Sequence, residues 1–202
     1  MTGSARRIVS AGLIGLSLAG GWASLNNAAW SADGKDVKKD ETKELAAEHA
    51  AVRKSLGKAK ASLSDAIKAA VAKQPGGKAV EAYFEAEGKA LFYQVVVVGG
   101  GKHKAMLVDG ELGHVMGVVA AEEGGKAERD MKDAIAKSKI SLTTAIDVAL
   151  KKHPNAKAFD AHPDLDKGKT VIDVELLDGK KLLEVFIDPA SGAILSEAEI
   201  KD

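Results

Sequence analysis

The strongest constraint on this chain is that it contains most of itself twice. SLSDAIKAAVAKQPGGKAVEA, starting at Ser62, aligns with SLTTAIDVALKKHPNAKAFDA, starting at Ser141, at an offset of 79 residues. The same offset places Val95 on Val174, Gly100 on Gly179, Lys102 on Lys181, Asp109 on Asp188 and Gly113 on Gly192 without a gap. Chance does not hold one register over about sixty residues, so the chain is a tandem duplication. Its fold must be one that a short unit can adopt twice, with packing between the copies adding to two small cores.

The two copies can be read against each other. Ser62 followed by Asp65 is a capping-box pattern, and Ser141 followed by Thr144 is a weaker form of it. Leu63, Ala66, Ile67, Ala70 and Val71 recur at helical spacing, as do Leu142, Ala145, Ile146, Ala149 and Leu150. Gln74-Pro75 and His153-Pro154 end these helices, because a residue before proline avoids the α region. Strands are expected over 78–87, 90–98, 104–108 and 114–119, and again over 157–164, 170–177, 181–187 and 193–195. Upstream, Val52 and Leu56 fall on Met131 and Ile135, so each unit is expected to begin with a short amphipathic helix. Residues 32–44 are charged without apolar periodicity, which predicts a mobile tether. The expected fold class is α+β, in two tandem repeats. Each repeat is a helix packed on a small antiparallel sheet, preceded by a short amphipathic helix.

One stretch raises a catalytic alternative. VVVVGGGKHK, residues 95–104, looks like a buried strand entering a glycine-rich anion loop. Against that, no Ser or Thr follows Lys102, the P-loop glycine spacing is missing, and KAMLV reads as a strand where a phosphate cradle needs a helix N-terminus. The second copy has Asp178-Gly179 here, between two apolar runs. That is a hairpin signal with both central residues at positive φ, so Gly99 to Gly101 are read as a turn. Asp109 to Gly113 and Asp188 to Gly192 are read as five-residue turns. Asp109 and Asp188 would hold backbone amides, and Gly113 and Gly192 would take the left-handed region.

The first 31 residues differ from the rest. Arg6 and Arg7 precede an uncharged stretch from Ile8 to Ala32, and both tryptophans, Trp22 and Trp30, lie here. Basic start, apolar middle and small residues at Ala29-Trp30-Ser31 predict a secretory signal peptide cut before Ala32. Localisation in the periplasm or outside a bacterial cell follows, with membrane attachment only if the segment stays uncleaved. No cysteine is present, so no disulfide supports the fold. Lys plus Arg and Asp plus Glu both number 29, and this balance gives no electrostatic case for nucleic acid. The expected organisation is a signal peptide (1–31), a tether and helix (32–57), a first repeat (58–119), a linker helix (120–137) and a second repeat (138–202).

A capped Ser-Leu-x-x-Ala-Ile-x-x-Ala helix, Lys-x-Pro, a hairpin, and a strand ending in Asp-x-x-x-Gly resemble the PepSY domain. SLTTAIDVALKKHP and VIDVELLDGKKLLEVFIDPASGAIL carry the closer match. QVVVVGGGKHKAMLVDGELGHV keeps the outline with valines in the middle strand. The resemblance covers most of residues 58–199 and implies a non-enzymatic module without catalytic residues or cofactor. The implied partner is a secreted or envelope peptidase, or a peptide segment, bound on sheet surface or edge. Tyr83, Phe92, Tyr93, Val96 and Val98 are the candidate partner-binding surface, and packing between the two copies is the other reading of the valine run. The alternative is an envelope copper-binding or metal-stress protein using His103, Met106, His114 and Met116, although His103 and Met106 have opposite strand parity. His153 and His162 are expected at a helix end and a strand end.

Overall fold

The computed structural model describes residues 34–121 and 125–201. The expected signal segment lies outside the described residues. Helix α1 spans Gly34–Ser55 and a short 3-10 turn follows at Leu56–Lys58. The first repeat is then α2 (Leu63–Lys73), β1 (Lys78–Glu87), β2 (Ala90–Gly99), β3 (Lys102–Asp109) and β4 (Val115–Ala120). Helix α3 (Lys126–Ala136) leads into the second: α4 (Leu142–Lys152), β5 (Lys157–Asp166), β6 (Lys169–Asp178), β7 (Lys181–Ile187) and β8 (Ile194–Ile200). The α+β duplication expected from sequence is the observed fold. One expectation is corrected: residues 34–44 continue α1 in place of a tether.

All eight strands form one antiparallel sheet in the order β4-β3-β2-β1-β5-β6-β7-β8. The repeats therefore meet edge to edge through β1 and β5, in two registered pairs, Ala82 with Ala161 and Tyr83 with Asp160. Both strands are bulged near this junction, between Ala79 and Glu81 and between Ala158 and Asp160. Pro163, which has no N–H to donate, also stands in β5. These features keep the junction ladder short. Helix α3 packs on β1, β5 and β6 and so holds the two halves together from one side.

Local devices recur in both copies. Ser62 and Asp65 form the full capping box of α2, whereas Ser141 caps α4 through Thr144 N–H without a reciprocal bond. Asp109 Oδ1 accepts from Glu111 and Leu112 N–H, and Asp188 Oδ1 from Ala190 and Ser191 N–H. These amide bonds hold both carboxyls below the usual aspartate range. Gly113 and Gly192 close the turns at φ of 69° and 75°. Each turn then docks on the lead-in to a helix. The Gly110 carbonyl accepts from Lys60 and Ala61 N–H, and the Pro189 carbonyl from Lys139 and Ile140 N–H.

The glycine question is settled by these turns. Gly99 pairs with Lys102, leaving Gly100 and Gly101 as the two loop residues, at φ of 59° and 73°. The second copy departs from the expected Asp-Gly turn. Asp178 pairs with Lys181, so the loop is Gly179-Lys180, with positive φ at Gly179. That sign pattern suits a hairpin whose first central residue alone is left-handed.

Candidate functional site

Strand alternation divides the sheet into two faces. Tyr93, Val95 and Val97 share a face with Phe84, whose ring meets Tyr93 edge-on at 5.5 Å. Tyr93 donates its hydroxyl proton to the Ala61 carbonyl at 2.6 Å, which fixes this as the α2 face. Burial pushes that phenol up to about 12, so it remains a donor. The other face carries Glu81, Tyr83, Val96 and Val98, and α3 lies on it. Lys132 Nζ is 2.7 Å from Glu81 and 2.6 Å from Glu128, and His103 is 3.3 Å from Asp133. Both faces of the valine run are thus covered.

The five expected partner-binding residues do not form one surface. Tyr93 is 1% exposed and points into the α2 core. Val96 is buried beside Glu81. Tyr83, Phe92 and Val98 are half-buried, and the Tyr83 hydroxyl accepts from the Gln94 amide. Asp109, Gly113, Asp188 and Gly192 are structural turns as described above. The metal-ligand alternative also finds its residues separated. Met106 is buried and registers with Val95, on the α2 face, while His103 registers with Val98 on the other. His114 lies in the turn before β4, and Met116 is exposed on β4.

The expected position of His162 is corrected. It sits within β5, 6% exposed, where a strand end was expected. The proline after it is tolerated because the β1 ladder has already stopped at Ala161. His153 caps the end of α4 as expected.

The exposed large apolar side chains are elsewhere: Leu165 in β5, Leu195 in β8 at the counterpart position of Met116, and three at the outer edge of the first repeat. Leu112, Met116 and Val118 are 73%, 50% and 55% exposed. Among the described residues β4 pairs only with β3, so one side of its backbone is unpaired within the sheet, and its sequence VMGVVA has no charge. The opposite edge differs. In β8, Glu197 and Glu199 stand where β4 has Val118 and Ala120. Glu197 meets Lys152 at 2.8 Å and His153 at 3.2 Å, and Glu199 meets Lys181 at 3.1 Å. Charged residues on an edge deter pairing with a further strand, and uncharged β-formers invite it. The signal for this edge was in the sequence, in VMGVVA set against ILSEAEI at the same repeat position.

Comparison with known proteins agrees with the repeat. The family model for PepSY, the peptidase propeptide and YPEB domain, matches residues 60–118 and 139–198. No curated protein matches. A crystal structure of a Clostridium difficile 630 protein described as a lipoprotein aligns at 18% identity. It covers 70% of this chain and 95% of its own, with a TM-score of 0.42. The Bacillus megaterium YpeB C-terminal domain aligns at 10% identity over 70% of this chain and 99% of its own, with a TM-score of 0.23. With a matching segment in each copy, and the helix, hairpins and Asp-to-Gly turn present in both, this chain belongs to the PepSY family.

Proposed function

We propose that the protein is a non-enzymatic PepSY-type binding module of the bacterial cell envelope. It holds an extended peptide segment of a partner, such as a peptidase, by adding that segment to β4 as a ninth strand. The observation that carries this reading is the uncharged, solvent-facing β4 edge with Met116 and Val118 exposed on it. Main-chain hydrogen bonds would supply affinity, and Met116, Val118 and Leu112 would select apolar side chains at alternate positions. Export is supported by the basic, apolar and small-residue order of residues 1–31. A peptidase as partner is supported by the propeptide role in the family's description.

The test is selection from a displayed library of random dodecapeptides on the full chain, repeated on a Val118→Lys variant. The reading expects uncharged sequences with period-two apolar residues, enriched on the parent and lost on the variant. Equal enrichment on both would remove β4 as the site. The variant changes an exposed side chain, so its folding should match the parent.

A further inference from the structure

Residues 137–141 carry the chain from α3, on one face of the sheet, to α4, beside α2 on the other. A cleft of about 330 Å³ lies beside this crossing, at the lower end of the range for small-molecule sites. Ile67 and Val71 of α2 line it from the first repeat, Ile140 and Leu142 from the second, and Ile135 from α3. The cleft therefore exists only because the two copies meet. Its apolar wall is aliphatic, and Ile67, Ile135 and Leu142 are buried. Lys68, Lys78 and Lys139 border the same cleft, and among the described residues no carboxylate lines it.

These lysines are less neutralised than the repeat would allow. At the offset of 79, Lys139 matches Lys60, which meets Glu111 at 2.7 Å. The residue matching Glu111 is Ala190, so Lys139 lacks that partner. Lys68 is 3.9 Å from Asp65, a long contact between two exposed side chains. Lys78 Nζ donates to the Ser138 carbonyl at 3.4 Å, a neutral acceptor that does not compensate its charge. The hydroxyls of the cleft are engaged among themselves. Ser138 Oγ donates to the Ile140 carbonyl, and Ser141 Oγ is 2.7 Å from Thr143 Oγ1. What the cleft offers a guest is positive charge at its rim and aliphatic surface within.

We infer that this cleft binds a fatty-acid-like anion, one aliphatic chain with a single carboxylate head. The chain lies against Ile67, Val71, Ile140 and Leu142, and the head meets the ammonium groups of Lys68, Lys78 and Lys139. Exposed ammonium groups each give a modest attraction that salt screens. Burial of the chain therefore supplies most of the affinity, and the lysines select the sign of the head. A peptide segment suits the cleft less well, because its backbone brings polar groups that need partners and the hydroxyls here are already bonded. Because the walls belong to both repeats, the bound anion stabilises the copies against each other. The cleft shares no lining residue with the β4 edge, so either site can fail without the other.

Titration of the isotopically labelled full chain with sodium decanoate, followed through its amide shifts, tests this. Shifts should centre on residues 67–71, 77–79 and 138–143 and leave β4 and β8 unmoved. Acetate, a head without a chain, and decyltrimethylammonium, a chain with the opposite charge, should each bind at least about tenfold more weakly. A Lys68→Glu/Lys139→Glu chain, altered only at exposed side chains, should lose at least about tenfold in decanoate affinity. Equal binding of decanoate and decyltrimethylammonium would overturn the inference. So would an unchanged affinity in the variant, or shifts that fall on Leu112, Met116 and Val118. A peptide with a free C-terminal leucine that fills the cleft more tightly than decanoate would overturn it too. If the double variant does not fold, Lys139→Gln serves in its place: weaker decanoate binding supports the inference, and unchanged binding refutes it.

Discussion

The two repeats share a backbone and differ in what they present. Caps, bulges, docking turns and apolar helix stripes are matched nearly residue for residue. The departures cluster in two places: the outer edge, open in β4 and charged in β8, and the face beneath α1 and α3, neutralised in one repeat and acidic in the other. Residues that hold the chain in shape were retained in both copies, while residues that meet other groups diverged. The differences therefore mark where to look for function, and the matched positions report on stability.

The sharpest contrast is between Lys132 and Arg53, which occupy equivalent helix positions. Lys132 is 5% exposed against a Glu81 that is 1% exposed. Lys132→Ala leaves Glu81 buried without its ammonium and should cost about 3–5 kcal/mol in urea unfolding. Arg53→Ala, at a half-buried site, should cost no more than about 1 kcal/mol. The pair Glu81→Leu with Lys132→Met should recover most of the loss, since replacing both charges by apolar groups is often neutral. Equal losses for Lys132→Ala and Arg53→Ala would show that the two faces are not as different as described.

A smaller contrast concerns the docking turns. A Cβ on Gly110 would stand 2.8 Å from the Leu91 carbonyl oxygen, a backbone atom that cannot swing away. Gly110→Ala should cost about 1–3 kcal/mol. Its counterpart Pro189 already carries a Cβ, so Pro189→Ala should shift the urea midpoint less. Smaller again is the cap. Ser62→Ala removes the hydroxyl that accepts from Asp65 N–H and donates to the Asp65 carboxylate, keeps the residue-62 N–H bond to that carboxylate, and should cost about 1 kcal/mol. Ser141→Ala should cost less, because the Ser141 hydroxyl meets only neutral groups, the Thr143 and Thr144 hydroxyls and the Thr144 N–H, where the Ser62 hydroxyl donates to a carboxylate. Thermal scans of the four single variants rank these effects.

Much of this architecture could be read from the chain because its determinants are local and occur twice. Ser62 with Asp65, Gln74-Pro75 and Asp109 to Gly113 each specify a few residues of backbone, and the second copy checks the reading. The candidate binding residues are less legible. Tyr93 stands at an odd strand position and Phe92, Val96 and Val98 at even ones, so alternation sends Tyr93 to the opposite face. His162 was harder. Reading it as buried requires knowing that Pro163 is tolerated mid-strand, which depends on where β1 stops pairing with β5. The acidic face likewise emerges only when Asp160, Asp173, Glu175 and Glu184, distant in sequence, are set side by side by register.

The sheet ends in two edge strands, of which uncharged β4 is the one proposed to take a guest strand while the paired charges of β8 deter one. Residue-resolved amide exchange by NMR, on the full chain with and without a peptide enriched in the library selection, tests that proposal most directly. Strand addition predicts new protection at alternate amides of β4 and none in β8. Protection arising in β8, on the α1 face, or nowhere would contradict it.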